Sequence, residues 1–235
     1  MNLRSRDVTV RELMDDPDCD PTRLAATLRR FGLVNRLVSG WGRVYRRTLR
    51  PHLAAVARSE PHRPARVLDL GSGGGDLLAR LSALAARDGL AVEWVGADPD
   101  PRAFAVASAR DLPRVEFRCA DGAALRADGE RFDAVLSNHV LHHLDGTGLP
   151  AFADDSLALS RGPVLHSDIA RSRTAYALYA AGITPLAPGT FLRTDGLRSI
   201  RRSHRADELA AALGPAWRVE QPAAFRLLAV GDGRA

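Results

Sequence analysis

Over residues 21–58 the apolar residues Leu24, Leu28, Phe31, Val34, Leu37, Val38, Trp41, Val44, Tyr45, Leu49, Leu53 and Val56 recur every three or four positions. That period predicts amphipathic helices. Asp20 or Thr22 stands where the first helix needs a cap, Gly40 and Gly42 are expected to bend or split the run around Trp41, and Pro51 sits where a final helix can begin. Residues 59–64, Ser-Glu-Pro-His-Arg-Pro, then read as a linker.

Beyond the linker the pattern changes to short apolar runs at 66–70, 92–97, 114–119, 132–137 and 163–168, with helical patterns or short loops between them. Such alternation predicts an α/β fold built on a doubly wound parallel sheet. Residues 207–213 read as a helix stopped by Gly214, and 217–220 and 225–230 as two closing strands around Gln221-Pro222. The expected organisation is a helical extension over 1–63, serving as a substrate cap, and a sheet-forming domain over 64–235.

The first strand runs into Asp69-Leu70-Gly71-Ser72-Gly73-Gly74-Gly75-Asp76. Val67, Leu68 and Leu70 suit a strand covered on both faces, and Leu77, Leu78, Leu81 and Leu84 repeat at helical spacing. Glycines 71, 73 and 75 let the backbone approach a ligand at a helix N-terminus; a plain tight turn is the alternative. A dinucleotide fingerprint needs a third glycine where Asp76 stands, which counts against NAD.

The pattern DxGxGxG, formed by Asp69, Gly71, Gly73 and Gly75, resembles the first motif of class I S-adenosylmethionine-dependent methyltransferases. From residue 66 to 168 the chain resembles in particular the ubiquinone/menaquinone-biosynthesis and natural-product small-molecule enzymes. The resemblance implies a Rossmann-like seven-stranded sheet whose last strand is antiparallel. It also implies S-adenosylmethionine as methyl donor, S-adenosylhomocysteine as product, and a glycine loop, Ser72 included, against the methionine part and ribose. Asp98, at the end of the second strand, then takes the ribose hydroxyls, Asp121 with Gly122 after the third faces the adenine amino group, and Asn138 closes the fourth. Asp100 is better explained as a helix cap.

Three histidines follow the fourth strand. A hydroxyl acceptor is helped by a base with a pKa near about 6.5, and His142, then His139, are the candidates, while packing beneath the cofactor is the bland alternative. His139 and His142 form only an HxxH pair without a convincing third ligand, so no metal site is expected. Asp168 is a further polar candidate facing the substrate. Trp41, Tyr45, Tyr176, Tyr179, Phe191 and a broken loop over 182–196 are expected to shape a lid, with Arg193, Arg198 and His204 available to an anionic or phenolic acceptor.

Composition narrows the partners. The net charge is +5, yet all 33 basic residues are arginine and are mostly scattered. The clusters Arg43, Arg46, Arg47, Arg50 and Arg198, Arg201, Arg202, Arg205 are expected to face water. Absence of lysine excludes Schiff-base chemistry through a side chain. Cys19 and Cys119 are too few for a disulfide framework, no apolar run reaches the roughly 20 residues of a membrane helix, and residues 1–7 lead into no signal sequence, so a cytoplasmic protein is expected. Asn138 is followed by His139 and Val140, whereas enzymes methylating base amino groups often carry two prolines and an aromatic there. A small-molecule acceptor, modified on oxygen, is the expectation, and nucleic acid is disfavoured. An RNA or protein methyltransferase and a non-catalytic partner subunit are the alternatives, and the oligomeric state stays open.

Overall fold

The computed structural model describes residues 3–234. The side chains of Leu37 and Val38, counted above in the apolar period, lie outside the described set.

The first helix, α1, covers Pro21–Val38, and Asp20 caps it by accepting from the Thr22 and Arg23 N–H groups. Gly40, at φ +74°, ends this direction, and α2 starts at Trp41. A wide π turn over Tyr45–Leu49 then joins α2 (Trp41–Val44) to α3 (Arg50–Ser59). Pro51 therefore stands in the first turn of α3, as expected, with the π turn making the helical run continuous from α2. The Arg50 N–H reaches back five residues to the Tyr45 carbonyl, the bonding of a π turn.

Seven strands follow: β1 Ala65–Leu70, β2 Val92–Ala97, β3 Val115–Arg118, β4 Ala134–Asn138, β5 Pro163–Ile169, β6 Arg218–Glu220 and β7 Arg226–Asp232. They form one sheet in the order β3-β2-β1-β4-β5-β7-β6, parallel through β5, with β7 antiparallel to both its neighbours. The crossover helices are α4 Asp76–Arg87, α5 Pro101–Ser108, α6 Gly122–Ala127 and α7 Gly148–Leu159. After β5 come α8 Arg173–Gly182, α9 Leu192–Arg202 and α10 Ala206–Leu213.

Alternate residues of β1 serve opposite faces. Ala65 and Val67 join a core made with Trp41, Tyr45, Leu49, Leu53, Leu78, Leu81 and Trp94. Leu68 and Leu70 join the other, with Val135, Leu141, Leu157, Leu209 and Trp217. Thus Trp41 and Tyr45 are core residues rather than pocket walls, and α2 and α3 share one core with the sheet.

The segment 182–196 is not one broken loop, because α9 begins at Leu192 and contains Gly196. A side chain at Gly196 would collide with the Tyr179 ring, so the glycine permits α8 and α9 to pack closely. The arginines of α9 also depart from the solvated expectation. Arg202 is buried, donating to the carbonyls of Val10, His142 and His143, while Arg201 pairs with Asp7 at 2.5 Å and Arg198 donates to the Arg11 carbonyl. These contacts fasten the segment before α1 across the sheet's C-terminal edge. Arg43, Arg46, Arg47 and Arg50 are exposed, as expected.

A candidate cofactor and acceptor cavity

In an open sheet the ligand crevice forms where strand order reverses, outside the carboxyl ends of the strands. Here β1 has β2 on one side and β4 on the other, and a cavity of about 1090 Å³ opens at those ends. Its wall includes Asp69, Gly71, Ser72, Gly73, Asp76, Asp98, Asn138, His139, His142, His143 and Arg226. Single small-molecule sites run to roughly 300–1,000 Å³, so this one has room for a cofactor with an acceptor beside it.

The glycine turn owes its shape to three left-handed residues, Gly71 at φ +72°, Gly73 at +53° and Gly75 at +74°. The Gly71 and Ser72 N–H groups donate to the Ala97 carbonyl, tying the turn to β2. A Cβ on Gly71 would lie 2.5 Å from Val140 Cγ2, so the turn and the segment after β4 meet with no room for a side chain. Gly75 faces the Phe117 ring rather than the cavity. At Gly74 an added Cβ would stand 3.2 Å from the Leu28 carbonyl oxygen, which shows how closely α1 crosses the turn.

Three carboxylates gather around this turn. Asp98 accepts from the Gly73 N–H at 2.8 Å and the Asp100 N–H at 2.9 Å. Asp76 accepts from Asn35 Nδ2 at 3.0 Å, and Asp69 is fully buried with Oδ1 lacking a hydrogen-bond partner among the described residues. Burial first, then the charges of Asp76 and Asp98, push the Asp69 carboxyl well above the ordinary range. Burial likewise raises Asp76 and Asp98 against the hydrogen bonds they accept. The cluster wants a cation or donor groups.

The remaining cofactor candidates divide. Asn138 Oδ1 accepts from Trp41 Nε1 at 3.1 Å and Arg226 Nη2 at 2.8 Å, and the residue lines the cavity. Asp121 caps α6, accepting from the Ala124 N–H at 2.8 Å; it is exposed and, with Gly122 and Gly75, stands outside the cavity lining. Asp100 caps α5 through the Arg102 N–H.

His142 lies in the turn Leu141–His143, fully buried between two carboxylates. Nδ1 is 2.8 Å from Asp168 Oδ1, and Nε2 is 3.2 Å from Glu12 Oε1. Burial opposes a charge on the ring, but Asp168 and Glu12 outweigh it and lift its pKa to about 10. In this arrangement His142 holds its proton and has no free nitrogen, so acting as a base would require Glu12 to leave. His139, strained at φ +65°, has Nε2 3.0 Å from Asn35 Oδ1 and 3.1 Å from Arg226 Nη1. Burial and Arg226 hold its pKa well below the ordinary value, which keeps it neutral and weakens it as a base.

Arg226 was not singled out by the sequence, because one arginine among 33 in a terminal strand gives no signal. It is buried, lines the cavity, and bonds neutral partners, Asn138, Ser167 and His139. Burial lowers its pKa to about 10, so the guanidinium stays charged near neutrality. Glu12 and Asn35 were equally silent, lying outside any recognisable motif. Tyr179 lines the cavity, whereas Tyr176, Phe191, Arg193, Arg198 and His204 do not.

The sheet order with its reversed seventh strand and the glycine turn at the switch point define a class I methyltransferase fold. Residues 67–159 match a family model described as a methyltransferase domain. Over those residues the chain is similar to a methyltransferase domain, and its sheet has the fold of the class I S-adenosylmethionine-dependent enzymes. It is 32% identical over 135 residues to a ubiquinone biosynthesis O-methyltransferase of Azorhizobium caulinodans, covering 56% of this chain and 51% of that protein. It is 35% identical over 123 residues to the protein of that description from Agrobacterium fabrum, covering 50% and 47%. The chain thus spans about half the length of these curated relatives. Among solved structures, the plantazolicin methyltransferase BpumL, in complex with a triazolic desmethylPZN analog and SAH, superposes with a TM-score of 0.55 at 13% identity, over 91% of this chain and 97% of that one. The CMeT domain of the citrinin polyketide synthase gives 0.51 at 18%, over 73% and 46%. At these identities the structures share the fold. No helix among the described residues is long and apolar enough to cross a membrane.

Proposed function

We propose that this chain transfers a methyl group from S-adenosylmethionine to a hydroxyl oxygen of an aromatic, quinol or polyketide-like small molecule, in the cytoplasm. The observation carrying this reading is the carboxylate cluster, with Asp69 in the cavity wall and its Oδ1 without a hydrogen-bond partner among the described residues. The methionine end of the cofactor bears a sulfonium and an ammonium, and the cluster fits both. Asp98 has lone pairs left for the ribose hydroxyls. Asp121, which caps α6 and stands outside the cavity lining, remains the proposed adenine contact. Residues 1–63 act as the cap through α1 and the segment before it.

When bound, S-adenosylmethionine supplies a methyl group that the acceptor oxygen takes, the C–S electron pair staying on sulfur and the hydroxyl proton passing to water. The chain's own share is positioning. Holding acceptor and methyl in attack geometry supplies up to roughly 7–11 kcal/mol of the barrier, which fits a site whose candidate bases are engaged or weakened. Leu24, Leu28, Phe31, Leu178, Ile183 and Phe225 give the cavity an apolar wall for rings, and Arg226 offers charge to an oxygen becoming negative. The description of these relatives as ubiquinone biosynthesis O-methyltransferases supports an oxygen acceptor.

The test is calorimetric titration of S-adenosylmethionine and S-adenosylhomocysteine, followed by mass spectrometry of phenol, quinol and polyketide panels for methylated product. Failure to bind either nucleoside sinks the proposal. Binding without turnover on any acceptor favours a partner subunit, and salt-sensitive RNA binding with methylation would favour the RNA reading.

A further inference from the structure

The segment before α1 brings Glu12 to His142, from which it is 130 residues distant in sequence, and to the adjacent His143. Glu12 Oε1 is 3.2 Å from His142 Nε2 and 3.8 Å from His143 Nε2, and one ligand atom from each of the three residues lies within 4.8 Å of the other two. Donors sharing a divalent ion at about 2.0–2.1 Å stand roughly 3–3.5 Å apart, so small side-chain movements, with release of the His142 Nε2 proton to solvent as the ion takes its place, would close these three on one ion. All three residues line the cavity, leaving further coordination positions on that side.

The far side of each ring is also built for this. His142 Nδ1 faces Asp168 Oδ1 at 2.8 Å, and His143 Nδ1 faces Asp15 Oδ2 at 3.4 Å. A carboxylate behind a ligating imidazole fixes its tautomer and turns the other nitrogen to the metal. Ser199 Oγ donates to Glu12 Oε1 at 2.6 Å, holding that carboxylate in place. The turn bearing both rings is pinned through its carbonyls, His142 by Arg6 and Arg202 and His143 by Arg202. An ion pair between Glu12 and His142 would by itself need neither His143 nor a carboxylate behind that second ring.

We propose that Glu12, His142 and His143 form a divalent-cation site of zinc type, two imidazoles and one carboxylate, whose open positions face the acceptor side of the cavity. Imidazole with carboxylate suits zinc, cobalt and related first-row ions. An acceptor with a hydroxyl or adjacent hydroxyls would bind through oxygen to such an ion. That use rests on the methyl-transfer reading; the cation site itself does not.

The test is titration of the chelator-treated chain with Co²⁺, followed by visible absorption, then displacement by Zn²⁺ and metal analysis after dialysis. One ion per chain is expected, with the absorption of nitrogen- and oxygen-ligated Co²⁺. Glu12→Gln and His143→Ala should each weaken binding by about 10-fold or more, and Asp168→Asn, acting through His142, by about 10–100-fold. His143 has a part-exposed side chain, so its variant is the one that keeps the fold, with circular dichroism and S-adenosylhomocysteine titration as checks. Wild-type protein that takes up no stoichiometric cation overturns the proposal, as does undiminished binding by the folded His143→Ala variant. Cofactor binding without cation binding removes only the metal site; cation binding without cofactor binding removes only the methyl-transfer reading.

Discussion

Asp98 Oδ2 accepts the Gly73 N–H at 2.8 Å, so the end of β2 holds the glycine turn that follows β1. Asp98→Ala removes that tie together with the ribose acceptor. A hydrogen bond to a charged group contributes about 1.5–3 kcal/mol, so affinity for S-adenosylmethionine should fall about 10- to 100-fold by calorimetry. An unchanged affinity would remove Asp98 from the cofactor site.

Gly71→Ala should destabilise the protein by about 1–3 kcal/mol, because the new methyl group meets Val140 at a left-handed φ. Adding Val140→Ala should recover part of the loss. Gly129→Ala is the control: φ is +74° there and nothing lies within 4 Å of the added Cβ, so only the backbone cost of about 1 kcal/mol is expected. Urea denaturation of the four proteins separates packing from conformation, and equal losses for Gly71→Ala and Gly129→Ala would remove the contact with Val140.

Cofactor binding should depend on pH through Asp69, Asp76 and Asp98. Burial raises all three in the free protein, and a cation placed among them lowers them again. Binding then expels protons, and S-adenosylmethionine affinity falls as pH drops through the raised free-protein values. S-adenosylhomocysteine lacks the sulfonium charge and should show a shallower dependence. Calorimetry of both ligands across pH checks this; parallel profiles would argue against a sulfonium near the carboxylates.

His166 supplies an acid-stability prediction. Its ring lies buried between Phe152 and Trp217, with Nδ1 2.8 Å from Ser137 Oγ, and burial lowers its pKa from 6.5 to about 3. The unfolded chain takes the proton first, so this contribution is full above pH 6.5 and is lost as pH falls toward 3. The limiting slope is about 1.4 kcal/mol per pH unit. His166→Phe should flatten the stability profile over that window, whatever its absolute stability. An identical slope would assign the acid sensitivity to other groups.

Much of the scaffold was legible locally. The apolar runs gave β2 at 92–97 as observed and β1, β4 and β5 within two residues, because buried strands leave continuous apolar signatures and glycine marks the turn between. Caps were equally readable at Asp20 and Asp100, since their bonds reach only two or three residues. Gly196 misled, because a glycine inside a helix looks like a break unless the Tyr179 ring packed against it is known. The arginines of α9 misled for a related reason: their carbonyl partners come from the distant segments around Val10 and His142.

The sequence by itself determined the alternation of strands and helices, the glycine turn, and the order of Asp69, Asp98, Asp121 and Asn138 along successive strand ends. These follow from period and turn chemistry, which act between near neighbours. Only the tertiary structure decided how the charges combine. It set Asp76 beside Asn35, left Asp69 Oδ1 without a partner among the described residues, drew Glu12 to His142 and His143, and buried Arg226 in the cavity wall. Electrostatic character depends on burial and on partners far away in sequence, and neither is written in a local pattern.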